Sequence, residues 1–255
     1  IFKDRSIERW AQDGSGLYAI PGAVTGKGLK GFNLVTDMDE GGFFVASDNR
    51  AYIVSQGGGF SAVSIPAVET SIKNDDPQTC FYYQDEGIEF VVITFLSRPA
   101  WCLNVATGEW HERGEGTDGA WSATHAAGAY GHFYVGTTPG PIRRLARNNI
   151  DVSSPLIRRA VGRTLQSDGQ RFRLAKMEIM GRSGFTGTPT MMLRVSRDRG
   201  VTWGAPIERT MGAAGETENR AIWRGLGQAY SFTPEISMST AVECPVETTA
   251  YIEVG

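Results

Sequence analysis

The stretch from Ser196 to Trp203 leaves the chain little choice of local structure. Ser196, Asp198, Gly200, Thr202 and Trp203 have the spacing S-x-D-x-G-x-T-W, known as an Asp-box. Asp198 can accept hydrogen bonds from amides just downstream and so fix a tight turn. Gly200 can take the positive φ that such a turn needs, and Trp203 is expected to begin the return strand and pack beneath it as a large apolar plate. The motif is a hairpin clasp; it points to β architecture and by itself says almost nothing about chemistry. Further on, Arg220, Ile222, Trp223, Arg224, Leu226 and Gly227 form a second motif.

The glycine content agrees with the clasp: 32 glycines in 255 residues, without a collagen period, imply many tight turns between short strands. Hydrophobic residues at 41% and charged residues at 21% are the balance of a folded domain rather than a disordered chain. The length suits one large β domain or two ordinary ones. The longest apolar run, Phe90 to Leu96, is far short of the ~20 residues of a spanning helix. The chain opens on Ile1 and the charged Lys3-Asp4-Arg5, with neither an initiator methionine nor a secretion signal, so further residues are expected upstream. Cys80, Cys102 and Cys244 match no zinc or redox spacing and are expected as buried thiols, which fits a reducing compartment. A net charge of -3 argues against a main task of gripping phosphate backbones, although a neutral to acidic lining would suit a conduit for sliding DNA.

A weak repeat organises the first part of the chain. Phe43 to Ser47, the turn Asp48-Asn49-Arg50 and Ala51 to Ser55 form a hairpin unit. The same grammar recurs in Glu89 to Leu103 and in His132 to Leu145, and Asp4 to Glu8 matches Asn49 to Ile53 at an offset of 45. This spacing is in the range of a propeller blade, with an irregular series of hairpins as the alternative. Pro66 to Lys73 has room for one or two helical turns. Thr107 to Arg113 should be a turn feeding an outer strand, with Trp110 inward. From about Ile150 the grammar changes to longer strand-like segments: Phe172 to Met180, Thr190 to Ser196, Arg220 to Arg224, Tyr230 to Met238 and Thr249 to Val254. The expected fold is therefore all-β: propeller-like blades forming a partial ring over residues 1–149, then an antiparallel β layer or sandwich over 150–255.

Motifs for chemistry have plain structural alternatives. Gly26-Lys27-Gly28-Leu29-Lys30-Gly31 satisfies G-x-G-x-x-G, but it leads into Phe32-Asn33-Leu34-Val35 rather than a helix and is expected to be a connecting loop. Gly22 to Lys27 misses the P-loop spacing. His111, His125 and His132 lack the helical spacing of a metal pair, and no G-x-S-x-G elbow exists. Glu69, Asp75, Asp76, Asp85, Glu86 and Glu89 are numerous enough for two of them to converge as acid and base. Arg143, Arg144, Arg147, Arg158, Arg159 and Arg163 are the one basic concentration, either a solvated face or a surface for phosphates or an acidic neighbour.

The order of Arg5-Ser6-Ile7-Glu8-Arg9-Trp10, Pro21-Gly22-Ala23-Val24, Ala106 to Gly114, the Asp-box and Arg220 to Gly227 resembles the packaged-DNA stabilisation proteins of short-tailed bacteriophages, also called tail hub or head-completion proteins. The likeness spans nearly the whole chain and corresponds to the C-terminal part of that family. Val195 and Arg197 flank the Asp-box serine where the family has an aromatic and an acidic residue, and Gln228-Ala229-Tyr230-Ser231 replaces an Arg-rich stretch. The resemblance implies a virion tail protein assembled in the host cytoplasm, ringed by copies of itself beneath the portal and adaptor. It would close the DNA exit and bear the tail needle or distal tail proteins, with packaged DNA nearby and no membrane contact. It implies no catalytic, cofactor or metal residues; Ser196, Asp198, Gly200, Thr202, Trp203, Arg220, Trp223 and Gly227 are expected as structural motif positions, and aromatics such as Trp121 as anchors for neighbours. Two other classes stay open: an Asp-box propeller glycosidase of the sialidase type, and a non-catalytic glycan or receptor-binding module.

Overall fold

The computed structural model describes residues 1–116, 119–138, 140–146, 150–151, 154–181, 187–216, 219–242 and 246–255. The chain divides into two compact units, Ile1–Ala146 and Arg147–Gly255. Both are built of antiparallel strands, in agreement with the all-β expectation.

In the first unit, the strands Val35–Met38, Gly41–Val45, Ala51–Ser55 and Phe60–Ala62 form a four-stranded meander in chain order. Pro77–Asp85, Ile88–Phe95, Ala100–Asn104 and Trp110–Arg113 form a second. Ala123–Ala129, His132–Thr137 and Arg143–Arg144 form a three-stranded sheet, and Ile7–Asp13 pairs with Gly16–Thr25 as a hairpin. The repeated hairpin of the sequence is the second and third strand of each meander. Ile7–Asp13 aligns with a third strand.

Side-chain alternation explains how these sheets stack. Phe43 and Val45 join Val91 and Ile93 in one core, while Phe44, between them, turns to the opposite face and packs with Ile7 and Tyr52. Val92, between Val91 and Ile93, likewise faces away, toward Phe81, Cys102, Ala123 and Val135. Successive sheets are thus separated by apolar layers, and their central strands are covered on both sides. That is why they read as continuous apolar runs.

Between the two meanders lies the helix Pro66–Asn74, where a short helical segment was expected. Pro66 opens it, a position where a missing N–H costs nothing. Val68 and Ile72 are buried, and Ser71 accepts the Trp101 indole N–H at 3.0 Å. Arg98 ties the helix to the second meander through Asp75 at 3.0 Å and Glu112 at 2.6 Å. Trp110 turns inward and donates to the Val63 carbonyl at 2.7 Å. Trp121, by contrast, is not an exposed anchor: it is half-buried, 5.5 Å from Phe81 and under the Arg113 guanidinium at 4.5 Å.

The second unit is a β-sandwich. One sheet runs Arg158–Val161, Ser231–Met238, Thr190–Ser196, Ile207–Thr210; the other runs Val246–Val254, Phe172–Gly181, Arg220–Arg224. Leu174, Met177, Met191, Leu193, Trp223 and Phe232 fill the space between them. Tyr230, expected to start a strand, is 62% exposed, and the strand begins at Ser231. Two short edge strands, Arg158–Val161 and Ile207–Thr210, add to those read from the sequence.

Candidate functional site

The Asp-box closes on itself through its polar side chains. Ser196 is fully buried; its Oγ donates to Asp198 Oδ1 at 2.7 Å and accepts the Gly200 N–H at 2.8 Å. Asp198 Oδ1 also accepts the Thr202 N–H at 2.8 Å, and Oδ2 accepts the Thr202 hydroxyl at 2.5 Å. Arg199 and Gly200 carry the positive φ values, 61° and 95°, that reverse the chain. These hydrogen bonds, with Thr202 foremost, hold the Asp198 carboxyl at a pKa of about 2, below its ordinary 3.8. A carboxyl depressed by folding stabilises the fold above its ordinary pKa and loses that contribution as pH falls. Asp198→Asn should therefore flatten the loss of thermal stability between about pH 4 and about pH 2, measured by melting against the parent chain.

Trp203 departs from its expected place. The return strand starts only at Ile207, and Trp203 lies half-buried in the connection with the Arg194 guanidinium 5.4 Å from its ring. Arg194 in turn pairs with Glu235, which is 4% exposed, through its Nε at 2.8 Å. The plate in the core is Trp223, fully buried, whose indole N–H donates to the Ile207 carbonyl at 2.7 Å.

The two sequence motifs meet in space. Arg197 leaves the Asp-box turn and donates to the Leu226 carbonyl at 3.0 Å, passing over Gly227, whose φ is 93°. A Cβ on Gly227 would stand 3.0 Å from the Arg197 guanidinium. Ser231 returns the contact by donating to the Arg197 carbonyl at 3.1 Å. Arg220, at the start of the second motif, reaches Glu178 at 2.7 Å, and Lys176 reaches the other oxygen at 3.1 Å.

Residues 158–251 match the family model described as bacteriophage P22 Gp10, β-sandwich. This segment is similar to that family's β-sandwich. Both motifs lie inside the matched residues, so the clasp and its Arg197 bridge are part of the segment that resembles the Gp10 sandwich. No curated protein matches the chain. Among solved structures, an exo-β-1,3-galactanase from Phanerochaete chrysosporium with galactose aligns at 7% identity and a TM-score of 0.34, covering 98% of this chain and 75% of that one. A glycoside hydrolase aligns at 11% identity and a TM-score of 0.22, covering 83% and 69%.

The basic concentration is divided between the units. In the first, Arg143 stands 3.6 Å from Glu115. In the Gp10-type sandwich, Arg158 donates to the carbonyls of Thr240 and Val242 at 3.1 and 3.0 Å. Arg147, like Cys244, lies outside the described residues. The acidic candidates of the first unit serve separate contacts: Glu69 with Arg50, Asp75 with Arg98, Asp76 with Gln78, and Glu89 with the Tyr82 hydroxyl. Asp85 and Glu86 sit at the turn between Pro77–Asp85 and Ile88–Phe95. His111, His125 and His132 are on three different strands, and no group of three or more His, Cys, Asp or Glu poised for a metal occurs among the described residues. Nor does any described helix have the length and apolarity to cross a membrane.

The G-x-G-x-x-G segment is a connecting loop that grips the first repeated hairpin. Lys27 reaches Asp48 at 2.7 Å and Lys30 reaches Asn49 at 2.6 Å. Gly28 is pressed against the main chain of Asp4, so a Cβ there would fall 2.0 Å from the Asp4 carbonyl carbon, whereas one on Gly26 meets nothing within 4 Å. Gly28→Ala should cost about 1–3 kcal/mol by overpacking, while Gly26→Ala should be near neutral; chemical denaturation of both variants checks the contrast.

Proposed function

We propose that the protein is a structural component of a bacteriophage tail, a hub at the portal-tail junction that closes the DNA exit after packaging. In this reading it joins the portal and adaptor to the tail needle or distal tail. The observation that carries the proposal is the Gp10-type sandwich at residues 158–251, supported by the ordered motifs that extend the likeness upstream. The stacked meanders of the first unit are then blades of a propeller, and several copies of the protein surround the tail axis. Such a part needs stiffness and repeated contacts rather than turnover. Stiffness comes from apolar layers on both faces of the central strands. The hairpin Ile7–Thr25 offers apolar contact surface, with Leu17 69%, Tyr18 48% and Val24 57% exposed. Asp198 fits the same reading, since both its oxygens are engaged by its own turn.

Imaging of purified particles carrying a tag on this chain tests the proposal. The label should sit between portal and distal tail in a fixed, small copy number, and particles lacking the protein should lose packaged DNA. Recovery of the protein only as a free monomer, or turnover of sialosides or bacterial polysaccharides by the purified chain, would overturn it.

A further inference from the structure

An open cleft of about 770 Å³ lies between the two sheets of the sandwich. Its floor is apolar, formed by Met177, Ile179, Met191 and Ile236, and one wall is Ala250 and Ile252 of the edge strand Val246–Val254. The opposite wall is the consecutive run Arg158 to Arg163. Side chains on a strand alternate between faces, so alternate residues would line the cleft if only the face of this strand met it. Consecutive lining means that the cleft is bounded by the strand's main-chain edge.

The register gives the same result. The Gly162 N–H donates to the Pro234 carbonyl at 2.8 Å, and Ala160 and Arg158 stand opposite Ile236 and Met238. In an antiparallel pair, hydrogen-bonding groups of alternate residues point to the neighbour. Those of Val161 therefore point away from Ser231–Met238, and among the described residues no strand pairs with Arg158–Val161 on that outer side. Val161 is itself 56% exposed.

Arg158 and Arg163 stand at the two ends of this run, and the buried Nε of Arg158 has no acceptor among the described residues. An acyl chain would fill the apolar floor but make no use of a strand edge. An extended peptide uses edge, floor and charge together. We infer that the cleft accepts an extended segment of another polypeptide, with apolar residues at alternate positions and carboxylates at its ends, added as a strand beside Arg158–Val161. This inference concerns the cleft alone and does not depend on where in a particle the protein sits.

A panel of fluorescent peptides of about eight residues, alternating valine, isoleucine or leucine with polar residues and ending in glutamates, tests it on the full chain by fluorescence anisotropy. At least one should bind in the micromolar range. N-methylation of its edge-facing amides should abolish binding, while N-methylation of the other set should not. Arg163→Glu, a change at an exposed position, should weaken the glutamate-ended peptide by about tenfold, the scale of one charge-assisted hydrogen bond, and favour a lysine-ended counterpart. The inference is overturned if no peptide binds, if N-methylation of either set has equal effect, or if dodecanoate occupies the cleft while the peptides do not.

Discussion

Trp223→Ala is expected to lower the unfolding free energy by about 3–5 kcal/mol, the usual result of truncating a buried aromatic. Trp223 is fully buried and packs in the sandwich core with Leu174, Met177 and Phe232. Its indole N–H also ties the strand Arg220–Arg224 to the edge strand at Ile207, so the loss includes one cross-sheet hydrogen bond. Trp223→Phe keeps most of the packing and should cost much less, with about 1 kcal/mol from the hydrogen bond. Trp203→Ala should fall well below Trp223→Ala, because Trp203 is half-buried in a connection. Urea denaturation followed by far-ultraviolet circular dichroism gives the order of the three variants. A larger loss at Trp203 than at Trp223 would mean that the Asp-box tryptophan, and not the later one, anchors the core.

Arg194→Leu should be nearly as damaging, at about 3 kcal/mol or more, because it strands a carboxylate in the sandwich. Glu235 is 4% exposed and its partner across the sheet is Arg194, whose own side chain is 33% exposed. The asymmetry in exposure makes the reverse change milder: in Glu235→Leu the guanidinium can reach water along its flexible stem. The double variant with leucine at both positions should recover most of the loss, since an apolar pair of similar shape avoids the desolvation cost. A double-mutant cycle in urea measures the coupling. Equal losses for the two single variants would contradict this account.

The parts of the fold that were legible in the sequence depend on local rules. Two-residue alternation and recurring turns marked the meanders around Phe43 to Ser55, Glu89 to Leu103 and His132 to Leu145, because hairpin pairing is decided within one unit. The Asp-box turn was legible for the same reason: Asp198 bonds Ser196 two residues before it and Thr202 four residues after it. What was not legible required distant partners. Trp203 and Trp223 look alike in sequence, and only the meeting of two sheets decides which of them becomes core. Arg197 occupies a variable position of the Asp-box spacing, yet it finds the Leu226 carbonyl 29 residues away. Ile207–Thr210 is exposed along its whole length, so it shows no apolar alternation by which a strand could be recognised. The cleft beside Arg158 to Arg163 exists only once both edge strands are in place.

The pairing pattern also sets an order of events during synthesis. In the first unit, each strand of a meander bonds the strand that follows it, and such short-range contacts can form as the chain emerges. The sandwich cannot proceed in that way: Arg158 pairs with Met238 and Leu174 with Val254, in each case 80 residues apart. Until Val246–Val254 leaves the ribosome, Phe172–Gly181 has an open edge and an uncovered apolar face. The nascent sandwich is therefore the stretch of this protein most exposed to aggregation and most dependent on a chaperone's protection.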